Sequence, residues 1–104
     1  MKLEATVAEM ARRIATGFHP SKIILFGSAA RGQATADSDI DLLVVVHEVD
    51  NRRALRVAMR RALNDMGVGK DIVVLTDEEF EVKRKIPGTI AYPADREGTV
   101  IYAA

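Results

Sequence analysis

Apolar residues recur at Leu3, Val7, Met10 and Ile14, one side of an α-helix, before Gly17 and Pro20 interrupt the pattern. The spacing predicts a first helix over roughly residues 2–16. Ile23-Ile24-Leu25-Phe26 is a short, unbroken apolar run with the character of a buried strand. Residues 27–38 carry Gly27, Ser28, Gly32 and Ser38 and read as a turn followed by a loop. Ile40 to Val46 is apolar except at Asp41, as in a central strand covered on both faces. Asp50 or Asn51 can cap a second helix that runs to about Met66 and stops at Gly67. Leu55, Ala58, Met59, Ala62, Leu63 and Met66 form its inner stripe. Asp71-Ile72-Val73-Val74-Leu75 is a third strand, and Thr76 with Glu79 matches a capping box that opens a short helix. Pro87, Gly88 and Pro93 break the tail into short pieces, and Gly98 turns it into a final segment, Thr99 to Tyr102. There is no repeat, linker or low-complexity tract.

Composition narrows the function classes. The 104 residues suit one domain, able to bury roughly two-thirds of its unfolded surface. Fifteen basic residues balance fifteen acidic ones, so no general attraction to nucleic acid or to an anionic membrane is expected. The absence of cysteine removes disulfides, thiolate catalysis and cysteine–zinc sites. His19 and His47 stand in no ligand-spaced cluster and read as loop and strand-end residues. No apolar run reaches membrane-spanning length, and Glu4 and Glu9 interrupt the plan of a signal peptide, so a cytoplasmic protein is expected. Arg52, Arg53, Arg56, Arg60 and Arg61 occupy much of the second helix, as a solvated face or as a partner-binding surface. The aromatic residues are too few and scattered for a base-stacking platform.

The chemistry concentrates in Gly27-Ser28 and, after ten residues, Asp39-Ile40-Asp41. A glycine and a hydroxyl at a strand end suit close approach of the backbone to a phosphate, with the Ser28 hydroxyl donating to an oxygen. Two carboxylates at i and i+2 of a strand point to one face, about 6.6 Å apart along it. That spacing suits hard cations such as magnesium, which recruit phosphate-bearing substrates. Asp71 opens a strand after a helical crossover and is the natural third acid, with a capping or turn role as its alternative. Arg31 can hold a phosphate, pair with an acid or stabilise the loop. Asp37 reads as a turn residue that could support the site, while Asp65 and Asp77 fall on a helix end and a cap. Together these residues point to metal-dependent phosphoryl or nucleotidyl transfer.

The Gly-Ser, ten-residue gap and Asp-x-Asp pattern resembles the signature of the DNA-polymerase-beta-like nucleotidyltransferase superfamily. Phe26-Gly27-Ser28-Ala29-Ala30-Arg31-Gly32 and Ser38-Asp39-Ile40-Asp41-Leu42-Leu43-Val44 are similar in particular to minimal nucleotidyltransferase (MNT) domains. The ending Arg96-Glu97-Gly98-Thr99-Val100-Ile101-Tyr102 extends the resemblance over nearly the whole chain, residues 1–104 as a single MNT domain. The resemblance implies an α/β (α+β) fold, a small mixed sheet with helices packed against it. It implies a two-metal magnesium site on Asp39, Asp41 and Asp71, with ATP as substrate and Gly27, Ser28 and Arg31 toward the nucleotide. It further implies an antitoxin that transfers AMP to a tyrosine of a HEPN-family ribonuclease toxin. The alternatives are transfer to a small molecule, as in aminoglycoside nucleotidyltransferases, for which the chain lacks an acceptor domain, and neutralisation of a partner without catalysis.

Overall fold

Strand β2 (Ile40–Val46) organises the molecule, because its residues alternate between two separate apolar clusters. The computed structural model describes residues 3–32 and 38–104, so Asp37 lies outside the described residues. Helix α1 (Leu3–Phe18) leads into strand β1 (Lys22–Phe26), and β2 follows. Helix α2 (Arg52–Ala62) and a 3-10 turn at Asn64–Met66 connect β2 to strand β3 (Lys70–Thr76). Two short helices, α3 (Asp77–Lys83) and α4 (Ala91–Glu97), precede strand β4 (Thr99–Ala103).

The sheet order is β3-β2-β1-β4. β1 runs antiparallel to β2 and β4, whereas β2 and β3 are parallel, the pairing that requires a crossover such as α2. This mixed sheet with helices against it is the α/β (α+β) architecture expected. Ile40, Leu42, Val44 and Val46 of β2 pack with α1 and α2, around the buried Met10, Ile14, Met59 and Leu63. Leu43 and Val45 pack on the other face with Phe80 of α3 and Ala91 and Ala94 of α4. Both faces of β2 are therefore dry, which explains its lack of alternation.

The boundaries depart from the sequence pattern in four places. Gly17 does not stop α1; the helix continues to Phe18, and His19 takes the left-handed position at φ 49° before Pro20. α2 is capped by Asn51, whose side chain accepts from Ala54 N at 3.0 Å, but it ends at Ala62, and the 3-10 turn carries the chain to Gly67. Ala58, expected on the inner stripe, is exposed. Pro93 does not break the tail; it is the third residue of α4, where a first-turn N–H has no intrahelical acceptor to lose. Among the described residues no helix is long and apolar enough to cross a membrane.

Candidate active site

Strand register assembles the acids. Asp41 stands beside Phe26 on β1 and beside Asp71 on β3. Adjacent strands lie about 4.8 Å apart, and residues in register share a face, so Asp41 and Asp71 are neighbours. Asp39 precedes Asp41 by two positions, and the Ile40 N–H donates to Gly69 O at 2.9 Å, which holds the segment before β2 against the one before β3. By alternation these acids belong to the face of Leu43 and Val45, at the end where β1 finishes and β2 and β3 begin.

This placement perturbs Asp41. Its carboxyl titrates above the ordinary aspartate range, first because burial strips it of water, then because Asp71 and Asp39 add negative charge nearby. Arg31 opposes the shift, so its guanidinium lies within electrostatic reach of Asp41.

Two glycines make room for the carboxylates. Gly27 has φ 74°, left-handed backbone that favours glycine, and a Cβ there would collide with Asp41 Oδ2. Gly69 has no such φ, but a Cβ on it would collide with Asp39 Oδ1. The space a side chain at Gly27 would take is held by the Asp41 carboxylate. Gly69 was missed altogether, although its place two residues before Asp71 was a signal. Ser28 is half-buried beside Gly27 in a series of turns. Single bonds from Arg31 N to Gly27 O and Gly32 N to Ala29 O, both 3.3 Å, close those turns.

The competing acids have partners elsewhere. Asp65 pairs with Arg13, and Asp77 accepts from Ser21 Oγ at 3.0 Å and lies 2.7 Å from His47 Nδ1. Ser21 Oγ donates to Asp77 directly and lies 3.3 Å from Nδ1 and 3.5 Å from Nε2 of His47, so the acid holds the serine itself and does not act on it through the imidazole. Among the described residues no three carboxylate, imidazole or thiol groups already converge as a metal cage. The Asp39–Asp41–Asp71 set still fits magnesium: it is all oxygen, it repels itself when ionised, and magnesium takes one or two carboxylates with waters and substrate phosphates.

The model of the nucleotidyltransferase domain family matches residues 7–92. A Methanocaldococcus jannaschii protein named as a protein adenylyltransferase, MJ0604, is 38% identical over 81 residues, 78% of this chain and 77% of that one. A solved protein named as a minimal nucleotidyltransferase superposes with TM-score 0.61 and 29% identity over 95% of both chains. A structure described as a tri-AMPylated Shewanella oneidensis HEPN toxin in complex with its MNT antitoxin matches at TM-score 0.59 and 19% identity, over 97% of this chain and 72% of that one.

Proposed function

The chain belongs to the nucleotidyltransferase domain family, and on that premise we propose that it transfers AMP from ATP to a hydroxyl of a partner protein. The acceptor in this reading is a tyrosine of a HEPN-family toxin, which makes the chain an antitoxin. The observation that carries the proposal is the register of Asp41 against Asp71, with Asp39 two residues away and the Gly27-Ser28 turn alongside. The similarities to a named protein adenylyltransferase and to an AMPylated toxin complex support the acceptor class.

The reaction is displacement at the α-phosphorus. The acceptor oxygen forms the new P–O bond, the bond to the bridging oxygen breaks, and pyrophosphate leaves. Asp39 and Asp41 would hold magnesium together with the triphosphate, Ser28 donates its hydroxyl to a phosphate oxygen, and Gly27 keeps the turn free of a side chain. Asp71 faces the acceptor and takes the hydroxyl proton. Magnesium, when bound by the three carboxylates, supplies charge neutralisation and favours the ionised hydroxyl. Arg31 balances the charge beside Asp41.

Incubating the chain with labelled ATP, magnesium and a co-expressed HEPN partner, followed by intact-mass measurement, tests this reading. The partner gains whole AMP units with the native chain and none with Asp39→Asn/Asp41→Asn. Asp71→Asn still binds ATP yet leaves the partner unmodified. Label found only in small molecules, or neutralisation without a mass change, overturns the proposal.

A further inference from the structure

Helix α2 carries five arginines within eleven residues and no acid, more positive charge than its internal contacts account for. Arg52 alone among them has a carboxylate partner among the described residues, Glu79 at 2.8 Å. Arg60 donates to a neutral acceptor, Lys70 O, at 3.0 Å. A merely solvated helix face gains from alternating charge, whereas Arg52–Arg56 and Arg56–Arg60 are like charges at i,i+4, which destabilise a helix. Arg52 and Arg53 also oppose the positive end of the helix dipole. Arg60 and Arg61 suit the negative end of the dipole, so Arg53 and Arg56 are the arginines that helix stability does not explain.

The outward stripe of α2 has the make-up of a contact surface. Val57 is exposed at its centre, with Arg53 and Arg60 on either side in helical order. Val57, Arg60, Arg61, Asn64 and Lys70 line a cavity of about 240 Å³. Lys70 stands beside Ile40 at the start of β3, so this surface lies at the same end of the sheet as the acids but on its opposite face. An apolar centre surrounded by arginines is typical of protein contacts, and guanidinium groups pair with carboxylates in a fixed fork. Nucleic acid fits less well: α2 spans only about 16 Å, no aromatic residue lies on it to stack a base, and the chain as a whole is neutral.

Resting on the transfer reaction proposed above, we infer that the arginine face of α2 docks an acidic patch of the acceptor protein. A fluorescent random copolymer of glutamate and tyrosine is the probe, with a lysine–tyrosine copolymer and polyuridine RNA as comparators. The native chain binds the glutamate–tyrosine copolymer without nucleotide, and raising salt from roughly 50 to 300 mM weakens that binding. Arg53→Glu/Arg61→Glu weakens it by about tenfold or more, and Arg53→Gln/Arg61→Gln by less. With ATP and magnesium, the charge-reversed variant raises KM for the copolymer by a similar factor and leaves kcat within about twofold. Thermal melting checks the fold, which is retained because a carboxylate at position 53 lies three residues from Arg56. Equal binding of the two copolymers, or unchanged binding by the variants, overturns the docking face. Tighter binding of polyuridine, lost in the same variants, overturns it in favour of RNA. Normal copolymer binding with no transfer supports the docking face and counts against the proposed reaction instead.

Discussion

Gly27 and Gly69 each leave space that a carboxylate fills, and they separate two kinds of glycine requirement. At Gly27 a side chain meets both a backbone barrier at φ 74° and the Asp41 carboxylate. Gly27→Ala is therefore expected to cost stability, about 1–2 kcal/mol for the left-handed backbone, as well as activity. At Gly69 the backbone is ordinary, and only the flexible end of Asp39 must move. Gly69→Ala should leave the melting temperature nearly unchanged while lowering AMP transfer by about a hundredfold, the scale of a misplaced reacting group. Steady-state kinetics beside thermal melting checks the pair; normal transfer by Gly69→Ala would remove Asp39 from the reaction. Asp39 and Asp41 were legible because two acids beside an apolar run need a reason. Gly69 was not, because its cause is a side chain thirty residues earlier in the chain.

Surface ion pairs on α1 and at α3 have a readable pH signature. Glu9 binds Arg12 and Arg13, and Glu81 binds Arg84 and Lys85; their guanidinium and ammonium partners pull both carboxyls down to about 2. A carboxyl depressed in the folded state contributes stability above its unfolded value near 4.5, and that contribution is lost as pH falls from there toward 2. Both pairs face solvent, so the effect is modest and screened by salt. Urea denaturation of Glu9→Gln/Glu81→Gln should show less acid destabilisation than the native chain between roughly pH 5 and 2. Equal slopes would mean that the pairs contribute nothing. The capping box of α3 was fully legible, Glu79 N to Thr76 Oγ1 at 3.1 Å and Thr76 N to Glu79 Oε1 at 2.9 Å, because its partners are three residues apart. The end of α1 was not, because Pro20 and the left-handed His19 outweigh the weak helix propensity of Gly17.

The sheet places Asp39 and Asp41 at one end of a strand whose remainder is buried and Asp71 beside them on the next strand, so their mutual repulsion sets site against stability. Replacing Asp39 and Asp41 together by Asn removes that repulsion. The metal-free double variant should be as stable as the native chain or more so, by about 0.5–2 kcal/mol, while losing transfer. A marked fall in its melting temperature would make the pair structural. The sequence by itself determined the strands, the capped helices and the Gly-Ser/Asp-x-Asp pattern, because propensity, capping and turn chemistry act over a few residues. It also marked Asp71 as an acid at a strand start. Only the tertiary structure decided that β4 closes the sheet beside β1, that Pro93 lies within a helix, and that Asp71 stands beside Asp41 rather than elsewhere along the sheet. Strand order and register are set by which apolar faces can be buried together, a property of the assembled layers that no local stretch of chain contains.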